Sequence, residues 1–143
     1  MAHKPIASAF YEVITQIFGE LQDIEAVDIV SDEPKELQLQ QLENSWSKLR
    51  TDEAVILTDL CGATPSNVCR QFSAQKDILI IDPLSVPLLM KIICYREQPL
   101  EVIAQKAEEI KFNICTNEDN HCNCPQQTWT SCPTSRETHS KGK

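Results

Sequence analysis

A chain of 143 residues has room for one compact domain, so its motifs must share one core. With 41% hydrophobic and 24% charged residues, and no run near the ~20 apolar residues of a membrane span, the composition predicts a soluble globular protein. The formal charge of -8 argues against nucleic acid as a partner, because phosphate contacts need clustered Lys and Arg.

Residues Met1-Ala2-His3-Lys4-Pro5 lack the apolar stretch and cleavage site of a signal peptide, so a cytoplasmic location is expected. Reduced thiols are then the default for the seven cysteines, of which Cys61, Cys69 and Cys94 lie in or beside apolar segments.

In chain order, Ile6, Phe10, Val13, Ile14, Ile17 and Leu21 recur at helical spacing, with Pro5 suited to a first turn. Residues 24–30 are short, partly alternating and β-branched, which predicts a strand closed by Ser31-Asp32-Glu33-Pro34. Leu39, Leu42, Trp46 and Leu49 mark one face of a second helix. Residues 54–58 are apolar on both alternating faces and read as a buried strand.

A turn follows at Gly62, with Thr64 expected as N-cap and Pro65 in the first helical position. Residues 78–81 are the next strand, 87–95 and 99–110 the last helices, and 111–115 a candidate edge strand. This alternation predicts an α/β fold, a doubly wound and mostly parallel open sheet of order 2-1-3-4 with a candidate antiparallel edge strand.

The domain is expected over residues 1–115. Residues 116–143 contain no Leu, Ile, Val or Phe, which predicts a disordered polar tail. The first helix begins at once, so the strand that should feed it is expected to be absent or truncated. A chain that begins late, with Met1 inside that strand, is the preferred account, because two unpaired edges would cost more than the ~5–15 kcal/mol by which domains are stable.

Ligand sites in such sheets lie beyond the carboxyl ends of the strands, where neighbouring connections diverge. In a 2-1-3-4 order the loops around His3 and Asp59 are neighbours. A neutral imidazole attacks phosphorus well, and a carboxylate that accepts from one ring nitrogen fixes the tautomer and frees the other. His3 is thus the candidate nucleophile and Asp59 its orienting carboxylate. Residues 62–66 lead into a helix N-terminus, which supplies N–H groups and a positive dipole end for phosphoryl oxygens. Gly62, Ala63, Thr64 and Ser66 are the candidate phosphoryl-binding residues.

The segment Ala54-Val55-Ile56-Leu57-Thr58-Asp59-Leu60-Cys61-Gly62-Ala63-Thr64-Pro65-Ser66-Asn67 resembles the strand-loop-helix signature of mannose-family enzyme IIA domains of the sugar phosphotransferase system, T-D-L-F-G-[GA]-[ST]-P-x-N after an apolar strand. His3-Lys4-Pro5-Ile6-Ala7-Ser8-Ala9-Phe10 is similar to their H-G-x-L-A-x-A-L segment, which begins with the phosphorylated histidine. The resemblance implies a phosphohistidine phosphotransferase. His3 would take a phosphoryl group from the histidine-containing phosphocarrier protein and pass it to an enzyme IIB, or use it as a regulatory signal. It also implies no cofactor, a homodimer that exchanges a terminal strand with 111–115 as candidate, and at most peripheral association with a membrane complex.

The chain departs from the family in Pro83-Leu84-Ser85-Val86-Pro87-Leu88-Leu89, where Pro83 and Ser85 replace a glycine and an asparagine. Ile93-Cys94-Tyr95-Arg96 resembles the helix end of a regulatory subgroup without a dedicated transporter.

Other readings fit less well. A receiver domain would use Asp59, but needs an acidic pair after the first strand, which the His3 region lacks. A flavin module wants a hydroxyl-rich first loop. A cysteine phosphatase built on Cys61 wants an arginine at position 67, where Asn67 stands, with Arg70 beyond that spacing. His121, Cys122, Cys124, Cys132 and His139 are soft ligands for a zinc clip, but fit no paired C-x-x-C pattern, and no metal is expected. The non-enzymatic alternative is a degenerate interaction module of the same fold.

Overall fold

Four short strands and five helices alternate in the computed structural model, which describes residues 1–74 and 76–111. In chain order they are β1 (Ala2–His3), α1 (Ile6–Phe18), β2 (Asp28–Ile29), α2 (Lys35–Leu49), β3 (Glu53–Leu57), α3 (Thr64–Ser73), β4 (Asp77–Ile81), α4 (Val86–Tyr95) and α5 (Leu100–Glu108). Two compact units divide the chain, one of Met1–Leu89 and a second that starts at Met90.

In the first unit β1 pairs in parallel with β2, Ala2 opposite Asp28 and His3 opposite Ile29. β3 pairs in parallel with β4, from Glu53 opposite Asp77 to Leu57 opposite Ile81. Parallel neighbours need crossover connections, and α1 and α3 supply them. The two pairs meet where the Met1 amino group donates to the Leu57 carbonyl at 2.9 Å. The strands therefore run in the expected order, with Met1–His3 between β2 and β3.

The strand predicted over 24–30 shrinks to Asp28–Ile29. A strand exists only where a neighbour takes its hydrogen bonds, and β1 offers two residues. Ala2 donates to the Val27 carbonyl and Lys4 to that of Ile29, both at 3.0 Å, and there the ladder ends.

α2 begins four residues before Leu39, because Lys35, Glu36 and Gln38 of its first turn are polar and Leu37 is exposed, off the buried stripe. Gln38 in that turn is 1% exposed. Its Nε2 donates to the carbonyls of Val30 at 3.1 Å and Glu33 at 3.0 Å, which fastens the β2–α2 turn to the helix. Ala63, not Thr64, is the N-cap of α3, and Thr64 and Pro65 are its first helical residues.

The core of this unit joins Val27, Ile29, Leu42, Ile56, Val68, Cys69 and Phe72, with Trp46 packed edge-on to Phe72 at 5.7 Å. Each such side chain contributes about 1.5–3 kcal/mol by burial. Apolar residues on one face of α2 and on the strands thus assemble as their patterns predict, and α3 adds Val68, Cys69 and Phe72.

In the second unit Lys91 and Lys106 both pair with Glu109 at 2.9 Å, and Lys106 lies over the Tyr95 ring at 5.2 Å. Lys111 is not in a strand. The remainder of the candidate edge strand, the polar tail and its His and Cys residues lie outside the described residues. No helix among the described residues is long and apolar enough to cross a membrane.

Candidate functional site

His3 is the last residue of β1, and Asp59 stands two residues after β3 ends at Leu57. Because β1 and β3 are neighbours, both side chains emerge at the carboxyl end of the parallel strands. His3 Nδ1 lies 2.7 Å from Asp59 Oδ2, and the same oxygen accepts the His3 backbone N–H at 3.1 Å. An ionised carboxylate only accepts, so the proton of the pair sits on Nδ1 and the Nε2 lone pair is available.

Burial pushes the Asp59 carboxyl up, but the hydrogen bonds from the His3 ring and backbone and the charge of His3 outweigh it. The net result is a carboxyl held below its ordinary value. The imidazole is 32% exposed and Asp59 12%, so the ring is reachable from solvent while its anchor is covered.

Two further contacts fix the histidine. Ala2, fully buried, locks β1 into the core. Asp28 of β2 accepts the backbone N–H of Ser8 at 3.2 Å and also the Ser8 hydroxyl, which ties the first turn of α1 beside His3 to the sheet. Sequence reading missed Asp28, although an acid inside the apolar run Ala26-Val27-Asp28-Ile29-Val30 is the trace it leaves.

After Asp59 the chain turns at Gly62, whose φ of 79° is costly for any side chain. Asn67 closes the turn, its amide donating to the Gly62 carbonyl at 3.0 Å. The Ala63 N–H is engaged by the Leu60 carbonyl at 3.3 Å, and Asn67 N–H makes the first helical bond, to Ala63. Pro65 has no N–H, so Thr64 and Ser66 carry the first-turn donors that lack an intrahelical acceptor. The Ser66 side chain is fully buried, whereas Thr64 is partly exposed.

Cys61 and Cys69 are free thiols, the first exposed and the second buried. Burial pushes the Cys69 thiol up to about 11. Arg70, too far along in sequence for a phosphatase loop, nevertheless reaches Cys61. Its Nη2 lies 3.6 Å from Cys61 Sγ and 3.3 Å from Asp82 Oδ2. Helix α3 makes this contact, since side chains lean toward a helix N-terminus. A cavity lined by Trp46, Asp52, Ala74, Lys76 and Asp77 lies at the other, amino end of β3 and β4. Among the described residues no group of His, Cys, Asp or Glu forms a metal site.

The family model described as "PTS system fructose IIA component" matches residues 1–111, over both the histidine and the aspartate segments. The chain belongs to the EIIA-man family. Two crystal structures are similar to this EIIA-man chain. The phosphotransferase system component EIIA from Streptococcus agalactiae shares 20% identity at a TM-score of 0.67, covering 75% of this chain and 85% of that one. The PTS IIA protein associated with the fucose utilization operon from Streptococcus pneumoniae shares 24% identity at a TM-score of 0.66, covering 78% and 88%. At these identities the likeness establishes the α/β fold alone. A comparison with curated proteins finds no match. The family is that of IIA components of the sugar phosphotransferase system, whose phosphotransfer partners include the histidine-containing phosphocarrier protein and enzyme IIB.

Proposed function

We propose that this chain is a phosphocarrier in which His3 Nε2 accepts a phosphoryl group from the histidine-containing phosphocarrier protein and passes it to an enzyme IIB or holds it as a regulatory signal. The observation that carries the reading is the 2.7 Å contact between His3 Nδ1 and Asp59 Oδ2.

The Nε2 lone pair attacks phosphorus as the bond from phosphorus to the donor nitrogen breaks, and that electron pair returns to the donor imidazole. His3 thereby acquires imidazolium charge, and its Nδ1 proton stays on the ring, hydrogen-bonded to the Asp59 carboxylate. The charge is met where it develops, at a group already in place, which is the most effective form of electrostatic catalysis.

The phosphoryl oxygens then find the first turn of α3. Gly62 opens that turn, and Ala63 brings the chain to the helix start. Thr64 offers an N–H and a hydroxyl, while Ser66 offers its backbone N–H rather than its buried side chain. The dipole of α3 adds partial positive charge at the same place. This work takes place in the cytoplasm, within a homodimer.

Incubation with phosphoenolpyruvate, enzyme I and the phosphocarrier protein tests the reading. An acid-labile label that disappears in His3→Ala is the expected result. Wild-type protein that folds but takes no label refutes it and favours the non-catalytic interaction module.

A further inference from the structure

Arg70 belongs to the cluster at the strand ends, and the phosphocarrier reading leaves it without a task. It starts from the seventh residue of α3, in the last turn, and its guanidinium reaches back to Cys61 in the loop before the helix. What holds it is Asp82, one residue beyond β4, whose side chain is 8% exposed. Ile81 stands opposite Leu57, and the Thr58 N–H donates to the Ile81 carbonyl at 3.1 Å, so Asp82 lies level with Thr58 and Asp59. Cys61, the other contact of Arg70, follows Asp59 by two residues.

The two contacts of Arg70 use a single nitrogen, Nη2. The side chain is 56% exposed, and Nε and Nη1 make no hydrogen bond among the described residues, at the strand ends that also carry Asp59. A guanidinium held by one nitrogen with its remaining fork open is built for a planar or tetrahedral oxyanion, as Lys is not. Asp82 Oδ1 is buried and has no hydrogen-bond partner among the described residues, so the Arg70 charge is what compensates the Asp82 carboxylate.

We propose that Arg70 is the anion-recognition residue of this crevice: anchored through Nη2 by Asp82, it presents Nε and Nη1 to the oxygens of a phosphoryl group on its way to or from His3. This inference rests on the phosphocarrier reading and adds the residue that balances the charge. Asp59 and Asp82 bring two negative charges to the strand ends, and a phosphoryl group brings about two more. The imidazolium charge of His3 offsets one of these charges, and Arg70, tied to both loops, offsets another.

The alternative is a structural one, in which Arg70 only neutralises the buried Asp82. A double substitution separates the two. Arg70→Gln is expected to slow phosphoryl acceptance at His3 by about tenfold or more, the usual loss of a charge-assisted hydrogen bond, and Arg70→Lys to recover part of it. In Arg70→Gln/Asp82→Asn the unpaired buried charge is gone, so urea stability returns toward wild type while transfer stays slow. Recovery of the wild-type transfer rate in that double variant overturns the proposal.

Titration with inorganic phosphate, followed by NMR at Arg70 Nε–H and the His3 ring, provides a second readout. A saturable shift of Arg70 is expected, and a His3 shift with Arg70 unmoved overturns the assignment. Failure of wild-type protein to take label refutes the phosphocarrier reading, and the phosphate titration then decides on Arg70 by itself.

Discussion

Replacing Asp59 by Asn keeps the size of the side chain and removes its charge, which makes it the sharpest probe of the site. In wild type one oxygen, Oδ2, receives both the His3 ring and the His3 backbone N–H. A hydrogen bond to a charged group contributes about 1.5–3 kcal/mol, and in the proposed transfer that bond faces a developing imidazolium. Its loss converts to a phosphoryl-acceptance rate lower by about 10- to 150-fold. Quenched transfer of labelled phosphate to His3 under single-turnover conditions measures this directly.

The same substitution has a pH signature. The Asp59 carboxyl is depressed in the folded chain below its ordinary value of 3.8. Its unfolded counterpart therefore binds a proton first as pH falls, and the stability it contributes is present above about 4 and lost on descent through the lower, folded value. Urea unfolding followed by circular dichroism should show wild type more stable than Asp59→Asn at pH 7, with the gap closing at pH 3. An Asp59→Asn variant that transfers at the wild-type rate, or a gap that widens in acid, refutes the assignment of Asp59.

Gln38→Ala frees the Val30 and Glu33 carbonyls from their side-chain donor and should cost about 1–3 kcal/mol in urea unfolding at unchanged transfer rate per folded molecule. Phe72→Ala removes the ring packed on Trp46 and is expected to destabilise by about 3–5 kcal/mol in the same assay. Mass spectrometry of alkylated protein at pH 8 should find Cys61 modified within minutes and Cys69 protected until the chain opens, because Cys69 is fully buried with its thiol raised to about 11.

The parts of this fold that were legible in sequence are those written in periodicity or in turn chemistry. Ile14 and Leu42 fall on buried faces where their spacing puts them. Gly62 takes the positive φ that its place before α3 implied. His3 and Asp59 were legible as a pair only through topology, since neither residue alone announces the other across 56 positions. Gln38 was illegible because it is a polar residue that works inside the fold and in a sequence looks like surface, whereas Asp28 left its trace as an acid within an apolar run. Counting along the chain excluded Arg70 from a phosphatase loop but did not show that it reaches Cys61. A helix returns a side chain to the loop that precedes it, so nine residues of separation from Cys61 become one contact.

The histidine is held by very little ladder, and this decides how its chemistry and its folding are coupled. β1 has two residues, and β3 ends at Leu57, two residues short of Asp59. The bond from His3 N–H to Asp59 Oδ2 takes the place of the ladder bond that a longer β3 would have offered. One carboxylate therefore closes the sheet and orients the ring, and any substitution at Asp59 mixes the two effects. A double-mutant cycle divides them. In His3→Ala the backbone N–H still reaches Asp59, so Asp59→Asn measured on that background reports the sheet-closing part alone. The difference from Asp59→Asn in wild type reports the ring, and contacting pairs of this kind couple by about 0.5–3 kcal/mol. The ring contact at 2.7 Å is shorter than the backbone contact at 3.1 Å. The ring share should therefore be the larger at pH 7, and a coupling of zero there means that Asp59 closes the sheet without orienting His3.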